Sequence, residues 1–214
     1  MISLEVLTRT ILHEKEGFCM KMNHNFAAGK WDASDFEYVY SPICTEYPKF
    51  TQLPDCIANQ HTADGTGFQY ISMVTKKTFS PNIRIRTVCE FDAYGAPLIV
   101  ISGDLRRGGD GVLRYGLHHE FVAFEEGCNI WRIVPWPART QTPIYPIKAA
   151  FFRTPVPAGQ PVELVVEVRE TQISASINGV TCTHFTPELA PQLHVGITAC
   201  EGINRFRCLE IETL

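Results

Sequence analysis

The sequence has no hydrophobic run approaching the roughly 18 residues that an apolar membrane helix requires, so no membrane partner is expected. It also has no basic run or stripe. Its formal net charge of −4 gives no electrostatic reason to expect a nucleic acid. The nearest approach, Arg106-Arg107, falls in a glycine-rich turn. No phosphate-cradling glycine loop, dinucleotide fingerprint or G-x-S-x-G elbow is present. Met1-Ile2-Ser3-Leu4-Glu5-Val6 lacks a basic n-region, and Glu5 and Arg9 interrupt any apolar stretch. It does not read as a signal peptide, and the expected location is cytoplasmic.

Eight cysteines are present, but no C-x-x-C pair. Several alternate with apolar residues inside predicted strands, as a small buried hydrophobe would. Reduced, structural thiols are therefore expected, in keeping with a cytosolic protein. His118-His119-Glu120 looks at first like a metal motif. Adjacent residues of a strand point to opposite faces, however, so the two histidines cannot share an ion. Asp104 and Asp110 flank a turn without the run of oxygen ligands that calcium needs. No metal or other cofactor is expected.

What is there is turn chemistry at short, regular spacing. Ser80-Pro81-Asn82, Tyr94-Gly95, Arg106 to Gly111, Glu126-Gly127, Pro155 to Gly159, Asn178-Gly179 and Glu201-Gly202 all read as turns. Between them lie short runs rich in Val, Ile, Thr, Phe and Tyr, the pattern of an all-β sandwich or barrel. A length of 214 residues suits one undivided sandwich, and no repeat or linker is visible. A single domain over residues 1–214 is expected.

Alternation assigns faces. In Ile83 to Phe91, Ile83, Ile85, Cys89 and Phe91 fall on one side, and Arg84, Arg86 and Glu90 on the other. Leu113 to Phe121 reads as another such strand, with Leu113, Tyr115, Leu117 and Phe121 inward. Arg114, Gly116, His118 and Glu120 then share the opposite face. Asn178-Gly179 suits a type I′ hairpin turn. A two-residue loop would set Ile177 opposite Val180, Ala175 opposite Cys182 and Ile173 opposite His184. In the first sixty residues, Ile2, Leu4 and Val6 favour a strand over a helical stripe of Leu4, Leu7 and Ile11.

The order of elements over residues 60–214 resembles the concanavalin A-like lectin/glucanase superfamily, especially its laminin-G-like and family 16 glycosyl-hydrolase-like members. Asn82-Ile83-Arg84-Ile85-Arg86 looks like the strand that opens the central sheet. Gly159 to Val168, followed by Ile173 to Val180, looks like the late hairpin. His194-Val195-Gly196-Ile197 and Arg205 to Ile211 look like the closing strands. The resemblance implies a two-sheet antiparallel jelly-roll sandwich with carbohydrate bound across a concave sheet. The glucanases of the superfamily carry E-x-D-x-x-E, two of whose carboxylates act as nucleophile and acid/base. Glu90-Phe91-Asp92 imitates its start, but Gly95 stands where the third carboxylate would be. Fold and activity separate easily in such cases.

By order along the chain, the strand holding His118 and Glu120 occupies the place of the glucanases' catalytic strand. Glu120 is the candidate acid/base, with His118 tuning it or touching substrate. Arg114, whose fork suits bidentate contacts, is a candidate for a uronate carboxylate or sugar hydroxyls. An ordinary polar outer face accounts for the same three residues. Trp131, Arg132, Trp136, Arg139 and Tyr145 follow closely. Sugar rings stack their C–H faces on aromatics, while their hydroxyls seek planar polar groups. Trp131 sits in an alternating strand, where core packing is the alternative. Arg84, Arg86 and Glu90 complete the candidate groove. The expected partner is an oligosaccharide, imported if the protein is cytoplasmic, or a uronate-containing sugar, with hydrolysis as one activity. The alternatives are a non-catalytic binding module, or a structural sandwich that pairs with another subunit as a homodimer.

Overall fold

Alternating apolar and polar residues, cut at short intervals by turns, fold as strands through most of the chain. The computed structural model describes residues 20–41, 44, 46–59, 70–135, 144–186 and 189–214. In chain order the first strands are β1 (Lys21–Asn25), β2 (Phe36–Val39), β3 (Thr51–Gln52), β4 (Ile57–Ala58), β5 (Tyr70–Thr75) and β6 (Ile83–Phe91). Next come β7 (Ala96–Ser102), β8 (Leu105–Arg107), β9 (Leu113–Tyr115), β10 (His118–Phe124), β11 (Gly127–Pro135) and β12 (Ile144–Arg153). The last are β13 (Val162–Arg169), β14 (Gln172–Ile177), β15 (Val180–Phe185), β16 (His194–Cys200), β17 (Asn204–Phe206) and β18 (Cys208–Thr213). Helix among the described residues is confined to single 3-10 turns at Phe26–Ala28 and Ala33–Asp35.

The strands form two antiparallel sheets. A nine-stranded sheet runs β15-β14-β13-β6-β17-β4-β3, with β18 pairing β6 beside β17 and β1 added to β18. A seven-stranded sheet runs β12-β11-β10-β7-β16-β5-β2, and β8 and β9 make a separate hairpin. Between the sheets lies the main core. Ile83, Ile85, Cys89 and Phe91 of β6 belong to it, with Ile99 and Ile101 of β7, Phe121 of β10 and Ile197 of β16. Each fully buried Ile or Phe side chain contributes about 1.5–3 kcal/mol through apolar area removed from water.

The jelly-roll sandwich expected from the sequence is the fold observed. β6 alternates strictly, its Ile83, Ile85, Cys89 and Phe91 buried and its Arg84, Arg86 and Glu90 half-buried. The β14–β15 hairpin has the expected register, Ile177 opposite Val180 and Ile173 opposite His184. Asn178 and Gly179 have φ of 49° and 84°, the two positive values a type I′ turn demands. All described cysteines are free, with Cys56, Cys89 and Cys128 buried. Cys19 and the proposed strand of Ile2, Leu4 and Val6 lie outside the described residues.

Leu113 to Phe121 is not one strand. β9 ends at Tyr115 and β10 starts at His118. The break sits where the Gly116 N–H donates to the Asp104 carbonyl at 2.6 Å. A β-carbon at Gly116 would meet the Asp104 carboxylate, so a side chain there would require that carboxylate to move. The break resets the alternation. Tyr115 therefore packs on the same side of the seven-stranded sheet as His118, while Phe121 faces the main core.

β7 shows no alternation, because all seven of its residues are buried. Ile99 and Ile101 face the main core, whereas Leu98 and Val100 join a second apolar cluster with Tyr70, Val74, Tyr115 and Val122. The outer face of the seven-stranded sheet is thus also dry at its centre. That second cluster floors the candidate site.

Candidate functional site

β10 carries the site. Its side chains alternate, so His118 and Glu120 emerge on the outer face of the seven-stranded sheet and His119 on the inner one. On β11, the register partner of Glu120 is Trp131, and that of His118 is Ile133. The aligned faces make one wall and floor of a cavity of about 370 Å³. Tyr70, Tyr115, Ile144, Pro146, Cys200 and Glu201 line the rest, with Ser41. The lining is mainly apolar and aromatic with few polar groups, the usual make-up of a small-ligand site.

Glu120 is the polar centre of this cavity, and its side chain is only 12% exposed. The Tyr70 hydroxyl donates to its Oε1 at 2.6 Å. Burial, with the Glu120 charge next in weight, pushes the ionisation of Tyr70 well above the ordinary tyrosine value, so the hydroxyl stays a donor. His118 Nε2 lies 3.3 Å from the same Oε1, and His118 Nδ1 lies 2.9 Å from the Gly116 carbonyl. A carbonyl only accepts, so Nδ1 carries a hydrogen. The contact with Glu120 is then attractive when one further proton lies between Nε2 and Oε1. Tyr115 stacks on the imidazole, with ring centroids 4.5 Å apart, and fixes its plane. The Tyr115 hydroxyl is bonded to Ser72, which is bonded in turn to Thr198. The result is a carboxylate able to hold or pass a proton, set in an aromatic cavity.

Cys200 lines the cavity with Glu120 and Glu201. Burial raises its thiol well above the ordinary value, and Glu120 and Glu201 raise it further. Glu201, at φ 55°, follows β16 in a tight turn with Gly202; it is exposed and lines the cavity. On the other side, the Lys148 ammonium stands 5.0 Å from the Trp131 ring centroid.

Of the residues singled out in the sequence, the cavity brings together His118, Glu120 and Trp131. Arg114 lies outside it, on the β8–β9 hairpin. Its fork is filled by Asp110, at 2.6 and 2.8 Å, and it also donates to the Val112 carbonyl and the Tyr47 hydroxyl. That pairing holds the Asp110 carboxyl far below the usual carboxylate range. Arg132 is the register partner of His119, so it faces away from Glu120 and its charge bears on His119 and His184. Arg84, Arg86 and Glu90 belong to the outer face of the other sheet and cannot share a groove with Glu120. Trp136 and Arg139 lie outside the described residues, and Tyr145 is exposed on β12.

Sequence reasoning missed Tyr70, Tyr115 and Glu201. The signal for Tyr70 was present: Tyr70-Ile71-Ser72-Met73-Val74 has no charged residue on either face, as a strand covered on both sides requires.

No family model and no curated protein matches the sequence. Solved structures do match in fold. A protein of unknown function with a galectin-like fold from Bacillus subtilis superposes with a TM-score of 0.61 at 14% identity, over 93% of this chain and 97% of that one. The kappa-carrageenase from Pseudoalteromonas carrageenovora gives 0.57 at 9% identity, over 95% and 99%. The carbohydrate-binding module CBM66 from Bacillus subtilis gives 0.54 at 8% identity, over 81% and 92%. At these identities the likeness is one of fold, a two-sheet jelly roll.

Proposed function

We propose that the chain binds a saccharide in the cavity on the outer face of its seven-stranded sheet, with Glu120 accepting sugar hydroxyls and Trp131 stacking on the ring. The observation that carries this reading is Glu120 itself. It is largely covered in a mainly apolar cavity, and among the described residues no lysine or arginine pairs with it. Burying a carboxylate costs free energy unless donors satisfy it, and Tyr70 and His118 address only Oε1. Sugar hydroxyls would supply the remaining donors. The carbohydrate-binding and carbohydrate-degrading fold neighbours support the ligand class.

A second reading, hydrolysis of a glycosidic bond, draws on Glu201. Acid-and-nucleophile or acid-and-base cleavage needs two carboxyl groups, and Glu201, exposed at the end of β16, is the second acidic residue lining the cavity. Glu120, in contact with His118, would act as the acid/base.

A thermal-shift screen against mono- and oligosaccharides, uronates included, tests binding, because a ligand held only by the folded state raises the melting temperature. Hits lost in Glu120→Gln and Trp131→Ala support the cavity. A screen in which no sugar moves the melting temperature contradicts it. Release of reducing sugar by the wild type, abolished in both Glu120→Gln and Glu201→Gln, would select the hydrolytic reading.

A further inference from the structure

A second groove lies beside the cavity, along edge strand β2. It is shallow, encloses about 410 Å³, and is lined by Tyr38, Tyr40, Tyr47, Lys49, Lys76 and Arg107, among others. We infer that this groove extends the saccharide site and selects an anionic sugar, a uronate or sulfated residue, for the unit next to the one over Glu120. The inference rests on the proposed saccharide site.

Three observations carry it. The first is continuity. Tyr40 lines the groove while Ser41 lines the cavity, and Leu113 lines the groove while Tyr115 lines the cavity. Next to both sites the two segments are joined, the Tyr40 N–H donating to the Leu113 carbonyl at 2.9 Å. Residues i and i+2 of a strand lie about 7 Å apart, so the two sites are close enough for one oligosaccharide to span both.

The second is the aromatic shelf. The rings of Tyr38 and Tyr40 stack with centroids 6.4 Å apart, and Tyr47 meets Tyr40 edge-on at 5.0 Å. The Tyr40 hydroxyl donates to the carbonyls of Tyr47 and Pro48, and the Tyr38 hydroxyl accepts from the Phe50 N–H. These bonds hold the shelf, and Tyr47 is 44% exposed on it.

The third is charge. The chain is net negative, at −4, yet this groove gathers Lys49, Lys76 and Arg107 against the single lining carboxylate of Glu37. Glu37 lies 3.8 Å from Arg107, whose Nη1 also donates to the Gly111 carbonyl. Lys49 places its ammonium 5.6 Å from the Tyr38 ring centroid, and Lys76 feels Asp32 at a distance. Neither lysine makes a salt bridge among the described residues. A concave surface of one sign concentrates ligands of the other. A basic, tyrosine-lined groove fits a ring with an apolar face and an anionic substituent. The opposite sheet offers a contrast, since Arg84, Arg86, Arg205 and Arg207 there each face a carboxylate.

Calorimetric titration tests the inference with oligogalacturonates and sulfated galacto-oligosaccharides, each beside its methyl-esterified or desulfated counterpart. The acidic form of at least one pair should bind about tenfold more tightly at low ionic strength, and the gap should narrow near 0.5 M salt as screening sets in. Lys49→Ala/Lys76→Ala and Arg107→Ala, checked for unchanged melting, should bring the two affinities together. The carboxylate and sulfate arms tell which anion is read. Binding without preference, or a preference that survives the variants, overturns the anionic groove and leaves the saccharide cavity standing. If neither acidic nor neutral sugars bind, both fall.

Discussion

The two outer faces of the sandwich carry ionisable residues on very different terms. On the nine-stranded sheet, Arg86 meets Glu163 at 2.6 Å and Glu210 at 3.1 Å, and Arg84 lies 3.8 Å from Glu212. Arg205 forks onto Asp92, and Arg207 reaches Glu90. These groups remain part-exposed, and each has an opposite charge beside it. On the seven-stranded sheet, the Glu120 side chain is 12% exposed, and its described partners are a tyrosine hydroxyl and an imidazole. A charge ladder in water satisfies itself and gains little from a ligand. A buried carboxylate with spare acceptor capacity has something to gain. A polar strand face becomes a candidate site only when the fold covers it.

The largest effect we expect comes from the strand that touches both sides, β10. His118 has partners at both ring nitrogens, whereas its neighbour His119 is buried with no partner at Nε2 among the described residues. Burial lowers His119 to about 4, from an ordinary value of 6.5. Between those values the unfolded chain binds a proton that the folded chain refuses. Stability is therefore intact above pH 6.5 and falls as the pH drops towards 4, by about 3 kcal/mol in all. Urea denaturation across that range should show the loss, and His119→Leu should remove its share. His24 and His184, lowered mainly by burial, act in the same direction and remain in that variant. A pH profile unchanged by His119→Leu would contradict this.

Gly196→Ala comes next. A β-carbon there would collide with the Met73 backbone under the cavity floor, so strand β16 must shift away from β5. Overpacking of this kind costs about 1–3 kcal/mol, readable as a lower denaturation midpoint. Tyr70→Phe leaves Glu120 without its closest donor and should cost about 1–2 kcal/mol. On the other face, Arg86→Ala removes the best-connected ladder cation but, at exposed geometry, should cost no more than about 1 kcal/mol. Added salt should shrink that smallest difference and leave the Tyr70→Phe difference in place. If Arg86→Ala proved as costly as Tyr70→Phe, the contrast between the faces would fail.

Much of the fold was readable from the residues. Asn178-Gly179 set a register because turn chemistry and apolar pattern agreed, and the strict alternation of Ile83 to Phe91 named its two faces. Alternation says that a face is polar without saying what lies above it. Arg84, Arg86 and Glu90 looked as good for a groove as His118 and Glu120, because both sets obey the same period. What separates them is long-range: Tyr70 lies 50 residues from the Glu120 it bonds. The continuous apolar run of Leu98 to Ile101 was the local clue that β7 is covered on both faces. The resetting of the pattern at Gly116 was not legible, since it depends on the approach of Asp104.

The central claim is that a sugar seats on the Glu120–Trp131 face. The direct measurement is the indole N–H resonance of Trp131, assigned with Trp131→Phe, during titration with the saccharides of the screen. The account predicts a saturable shift of that resonance in the wild type and in Arg86→Ala, and its loss in Glu120→Gln. A saccharide that binds while the Trp131 resonance stays still, or that binds Glu120→Gln as well as the wild type, would contradict it.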